Sequence, residues 1–198
     1  MRKIFWNNFG VILIGLMFLV IGQLFGQNLS DAFLEADTNF TYQGKPIHPG
    51  LVNEFSSWIS DKGFPTTISV DIAAPHGNEY FEDDAKIDED KNVCIDEKDE
   101  NDDKTGAYFC YRRLGKLNNG LHILKTWESG GGSGVFTDLC FVRIDKDKGT
   151  FDGQPYERLL MVIAGTYGLG EEYSGEAEIL TDRVIVKKLN GEKVELIL

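Results

Sequence analysis

Positive charge and histidine are both scarce in this chain. Twenty Lys and Arg stand against 32 Asp and Glu, for a net charge of −12, and there are three histidines. Polyanions are gripped by clustered Lys and Arg, so this balance argues against nucleic acid and anionic membrane surfaces as partners. His48, His76 and His122 show no H-x-x-x-H spacing, and no C-x-x-C is present, which removes the usual zinc patterns. No lysine follows the glycine run 130–134 as a phosphate-binding loop requires, and Ser133 lacks the G-x-S-x-G frame of a nucleophile elbow. Internal repeats and a second domain are also missing.

Charge is absent altogether between Lys3 and Asp31. Arg2 and Lys3 precede an apolar block, Phe9 to Phe25, in which Gln23 is the only polar residue. A basic start followed by an apolar block is the pattern of a secretory leader. The small residues Gly22 and Gly26 offer cleavage points, so residues 1–26 are expected to be a signal peptide. The alternative is an uncleaved anchor over 9–25, which would tie the protein to the membrane with the same domain outside. Either way the remainder is expected to be secreted or periplasmic.

Loss of residues 1–26 removes two basic groups and no acids, which brings the net charge to −14. The excess is concentrated between Glu79 and Lys104, where thirteen acids and four lysines give −9. Few apolar residues interrupt that tract, so it reads as a solvated loop.

Three cysteines remain, an odd number. Cys94 and Cys110 bracket the densest part of the acidic tract, and a bridge between them would enclose fifteen residues. In the chain-entropy model such a loop is worth about 3 kcal/mol. A Cys110–Cys140 bridge is the other pairing considered. Cys140, between Leu139 and Phe141, otherwise behaves as a small hydrophobe.

The hydrophobic pattern first suggests a polar lead-in over 27–45. Next comes one amphipathic helix opened by Pro49, with Leu51, Phe55, Trp58 and Ile59 on one stripe and Gly63 and Pro65 at its end. From residue 68 the period changes from near four to two. Ile68, Val70 and Ile72 alternate with polar residues, and strands are expected at 107–113, 121–127, 135–144, 156–164 and 176–180. The clearest hairpin is Val184–Leu189, Asn190-Gly191, Val194–Leu198. Asn118-Asn119-Gly120 and Asp145–Gly149 read as turns. Seven or eight short strands with short connections imply a mainly β domain over 46–198. An antiparallel sandwich or barrel-like sheet with that N-terminal helix is expected, bordering on α+β.

One spacing in the acidic tract suits calcium. Asp88, Asp90 and Asn92 stand at positions 1, 3 and 5 of an EF-hand-like loop, with Asp96 at 9 and Asp99 at 12, all oxygen ligands for a hard cation. Val93 occupies position 6, where a glycine normally makes the sharp turn, and Asp99 replaces the longer glutamate. Asp145, Asp147, Gly149 and Asp152 form a weaker match of the same kind. His122 is expected to face solvent or a partner ring.

No nucleophile, base and orienting group can be named together. The functional expectation is therefore a non-catalytic binding or structural module outside the cytoplasm. The alternatives are a calcium-dependent module built on residues 79–104 and a hydrolase whose site is not legible in the sequence. No cofactor other than Ca2+ is suggested, and the partner is left open.

Overall fold

The computed structural model describes residues 29–56, 67–73, 78–81, 83–96, 106–171, 175–188 and 190–198. The leader, Trp58, Ile59, Gly63, Pro65, His76 and Asp99 lie outside the described residues. Strands account for 56% of the structure, in a curled antiparallel sheet accompanied by two helices. The mainly β expectation holds, with an N-terminal helix.

The segment expected to be a polar lead-in is instead helical, as α1, Leu29–Asn39. Only Ala32 and Ala36 are buried in it, with Leu29 and Phe33 packed alongside, so its apolar stripe is made of small residues that a hydropathy reading passes over. Phe40 ends it at φ 61°, with its N–H on Ala36 O at 3.0 Å. A small ribbon follows, β1 (Thr41–Tyr42) and β2 (Lys45–Pro46). Helix α2, Pro49–Ser56, then buries Leu51, Val52 and Phe55. His48 caps it: the ring Nδ1 accepts the Gly50 N–H at 3.2 Å, and proline fills the first helical position.

The main sheet has seven strands. These are β3 (Ser69–Asp71), β4 (Lys86–Ile87), β5 (Val93–Asp96), β6 (Ala107–Lys116), β7 (His122–Gly130), β8 (Phe136–Phe151) and β9 (Gln154–Glu171). Their spatial order is β3-β9-β8-β7-β6-β5-β4, with every neighbouring pair antiparallel. Register shifts at Arg113/Gly115, Thr137/Asp138 and Phe141/Val142 bend the strands, as bulges do. A second, three-stranded sheet joins β10 (Ala177–Ile179), β11 (Arg183–Lys187) and β12 (Lys193–Ile197).

Alternation along the strands gives the main sheet two apolar faces. One face, with Phe109, Tyr111, Leu124, Val142, Leu159 and Met161, packs against α1 and α2. The other, with Ile123, Leu139 and Phe141, packs against Val184 and Val186 of the small sheet. A fully buried Leu, Phe or Met contributes about 1.5–3 kcal/mol, so the two cores dominate the stabilisation. The phenol of Tyr111 donates to Ile47 O at 2.5 Å and pins the approach to α2 onto β6. Burial pushes that phenol far above the ordinary tyrosine range, so it stays a donor.

Asp145–Gly149 does not turn the chain. These residues continue through β8, and the reversal comes at Asp152 and Gly153, with φ of 48° and 76° between the paired Phe151 and Gln154. That is the geometry a two-residue hairpin with an Asp-Gly pair adopts. Beyond β7 the β8–β9 ribbon is wet on both faces, so a run of Asp and Lys there marks exposure and not a turn. Asp145 pairs with Arg143 and Asp147 with Arg158, so the weaker calcium match is spread along a strand.

Candidate functional site

The acidic tract carries a hairpin, and the site is built around it. β4 and β5 are joined by a turn in which Asp88 N donates to Asn92 O at 3.0 Å and Lys91 adopts φ 65°. β5 pairs with β6 so that Cys94 faces Cys110 directly, and the two form a disulfide with Cα atoms 4.1 Å apart. Cys140 is free and buried. The covalent link fastens an edge hairpin of self-repelling sequence to a strand whose partners are deep in the core.

This hairpin separates two clefts of about 400 Å³ each. The first is acidic and is lined by His48, Tyr80, Asp83, Asp84, Lys86 and Asp96. Asn78 turns the chain beneath it, accepting the Tyr80 N–H on Oδ1 at 2.9 Å, and the Tyr80 ring stacks on His48 with centroids 4.6 Å apart. Burial lowers the His48 pKa and Asp83 opposes this. Because Nδ1 takes the Gly50 N–H, the neutral ring carries its proton on Nε2. Asp84 is held by Lys45 at 2.5 Å and Asp96 by Lys86, so two of the three carboxylates are already neutralised.

The second cleft is basic. Lys91, Arg112 and Arg113 line it with Asp90, over a floor that includes Phe40, Val93 and Tyr111. Arg112 donates from Nε to Asn92 Oδ1 at 2.8 Å and lies 5.8 Å from the centroid of the Trp127 ring. Arg113 donates from Nε to His122 Nδ1 at 3.1 Å and from Nη2 to Thr38 O at 2.8 Å. Lys116 reaches Asp37 O at 2.8 Å. Two cations therefore cap the carbonyl end of α1, where the helix dipole is negative.

His122 does not face solvent: it is 0% exposed, packed 5.2 Å from the Phe40 ring, so only the partner-ring expectation holds. Among the described residues its Nε2 meets no hydrogen-bond acceptor within bonding geometry, and it lies 4.0 Å from Asp37 Oδ1. Burial, reinforced by Arg113 and Lys116, lowers its pKa to about 4 against a smaller opposing effect of Asp37.

Among the described residues, Asp88, Asp90, Asn92 and Asp96 of the EF-hand-like spacing are each engaged elsewhere. Both Asp88 oxygens accept from Asn92, its main-chain N–H at 2.8 Å and its side-chain amide at 2.6 Å. Asn92 Oδ1 is taken by Arg112, Asp96 by Lys86, Asp90 lines the basic cleft, and Asp99 lies outside the described residues. The physical reason is position 6: Val93 starts a strand and turns inward, 8% exposed, where a calcium loop bends sharply. Among the described residues no group of three or more His, Cys, Asp or Glu is placed to hold a metal ion.

Sequence reasoning missed the basic cleft. The signal available was the adjacent pair Arg112-Arg113 in an acid-rich chain, which strict strand alternation assigns to opposite faces. Arg112 and Arg113 do alternate, Arg112 toward Trp127 and Arg113 toward His122, and the Lys91 turn of the neighbouring hairpin brings a third cation to the same opening. Comparison with protein-family models, with curated proteins and with solved structures finds no match for the chain.

Proposed function

We propose that this chain is an extracytoplasmic, non-catalytic binding module that takes its ligand at the disulfide-fastened edge of the main sheet. The observation that carries the reading is the Cys94–Cys110 bridge beside two open clefts. Disulfides persist in oxidising compartments, which agrees with the basic and apolar residues at the N-terminus. The chemistry of the clefts supports binding over catalysis. Guanidinium groups are permanent donors that orient and hold, and they neither accept nor release protons at neutral pH. The described histidines have Nδ1 committed to the Gly50 N–H and to Arg113, and Ser133 sits in an exposed loop between β7 and β8.

Expression of the full chain in a cell that exports through N-terminal leaders tests this. The expected result is recovery outside the cytoplasm with Cys94 and Cys110 oxidised and Cys140 free. A mass lacking residues 1–22 or 1–26 identifies cleavage, and the full mass in the membrane fraction identifies the anchored form of the same module. Recovery in the cytosol with all three thiols reduced would overturn the reading.

A further inference from the structure

We propose that the basic cleft binds a small organic oxyanion, a carboxylate, sulfonate or phosphate ester with an apolar body, on Arg112 and Lys91. The inference rests on the binding-module reading and assigns its ligand class.

Arg143 pairs with Asp145, Arg158 with Asp147, and Arg183 with both Asp182 and Glu195. In a chain with 32 acids that is the ordinary fate of a guanidinium. Arg112 and Arg113 are the exceptions: among the described residues neither forms an ion pair with a carboxylate, and neither does Lys91. All three nevertheless open on one cleft, with Asp90 as the one carboxylate in its lining.

Arg112 is set for the task. Asn92 holds Nε from one side and the Trp127 ring lies beside the guanidinium, so the side chain is oriented before any ligand arrives. Asn92 consumes one of five N–H donors, and the outer fork has the geometry to donate to two oxygens of a planar or tetrahedral oxyanion. Lys91 stands on the exposed hairpin turn as a point charge across the cleft. Arg113, committed to His122 and Thr38, adds field from behind. Phe40, Val93 and Tyr111 supply an apolar floor, which favours an anion that carries an organic body over a bare inorganic ion.

The test is a titration of the oxidised, exported protein with sodium benzoate, sodium benzenesulfonate and the neutral benzamide at constant ionic strength. Arginine Nε–H and backbone amide shifts are followed by NMR. Expected are saturable shifts at Arg112, Lys91 and Val93 with both anions and none with benzamide. Arg112→Gln and Lys91→Gln are each expected to weaken the anions about tenfold, the size of one charge-assisted hydrogen bond. Arg143→Gln, on the far ribbon, is expected to leave affinity unchanged. Lys91→Gln keeps the test decisive should Arg112→Gln fail to fold. Equal saturation by benzamide would overturn the oxyanion class and leave the binding reading standing. No saturable shift with any of the three would overturn the basic cleft as a ligand site and leave the export and disulfide result to decide the module reading.

Discussion

Arg113 Nε donates to His122 Nδ1 at 3.1 Å, so a permanent cation holds a buried imidazole as its hydrogen-bond acceptor. Protonating that imidazole would convert the acceptor into a donor facing a donor. Folded His122 takes its proton only near pH 4, against an ordinary value of 6.5 in the unfolded chain. Between these values the unfolded chain binds more protons. Stability from this site is therefore whole above pH 6.5 and falls as the pH drops toward 4, by up to about 3 kcal/mol. Urea midpoints measured across this range should decline more steeply in the wild type than in His122→Gln, whose amide keeps an acceptor and does not titrate. Parallel curves would show that the carboxylates alone set the acid sensitivity.

The Cys94–Cys110 bridge joins positions sixteen apart in sequence. Replacing both cysteines with serine should cost about 3 kcal/mol by freeing the unfolded chain. The native state should respond unevenly as well. The β4–β5 hairpin lies at the sheet edge and is tied to β6 by four register pairs and this bridge. Amide exchange at residues 86–96 should accelerate well before that of β7 and β8. Uniform loss of protection would mean that the hairpin unfolds only with the whole sheet.

Gly50→Ala sets two effects against each other. Alanine is the better helix former by about 1 kcal/mol, and Gly50 lies in the first turn of α2. A Cβ there would stand 2.5 Å from Cζ of Tyr80, against a ring held by the Asn78 turn and stacked on His48. Overpacking of this kind costs about 1–3 kcal/mol, so the clash wins. Thermal melting should show net destabilisation, and the His48 ring resonances should shift as the stack opens. An increase in melting temperature would show that Tyr80 moves aside freely.

Much of this architecture could be read in advance where local pattern and tertiary environment agree. Asn190-Gly191 and Asn118-Asn119-Gly120 sit in hairpin loops because Gly191 and Gly120 supply φ of 82° and 91°, and that chemistry is local. Cys94 and Cys110 pair because they face one another across β5 and β6. The misses have a common cause. Helix α1 buries alanines, Asp145–Gly149 is a polar strand because both its faces meet water, and His122 is buried by a helix the hydropathy did not announce. The basic cleft depends on a hairpin turn that sets Lys91 beside Arg112 and Arg113 of a neighbouring strand, and no single window of sequence contains that pairing.

Calcium at millimolar concentration is expected to leave the melting temperature unchanged. A ligand that binds only the folded form raises stability by RT ln(1 + [L]/Kd). Here both Asp88 oxygens and the Asn92 carbonyl already have partners, and Asp96 is matched to Lys86. Releasing them would cost what the ion returns. Calorimetry with calcium and with EDTA decides the matter, and a rise of several degrees with calcium would contradict the hairpin's hydrogen bonding.

Cys140 should be chemically silent until the protein unfolds. Its side chain is 2% exposed in the core beneath the helices. Burial, with a further contribution from the charge of Asp138, pushes the thiol pKa up to about 12. The thiolate is the reactive species, and at pH 8 such a group is ionised to roughly one part in ten thousand. Burial also denies the reagent a path of approach, so the two effects multiply. Iodoacetamide should therefore leave the native protein unlabelled over hours while labelling one site per chain in denaturant without reductant. In sub-denaturing urea the labelling rate should track the equilibrium fraction unfolded, because the main sheet must open to expose this position. Labelling at the rate of an exposed thiol in native buffer would mean that β8 is not held between its two neighbours as the register requires.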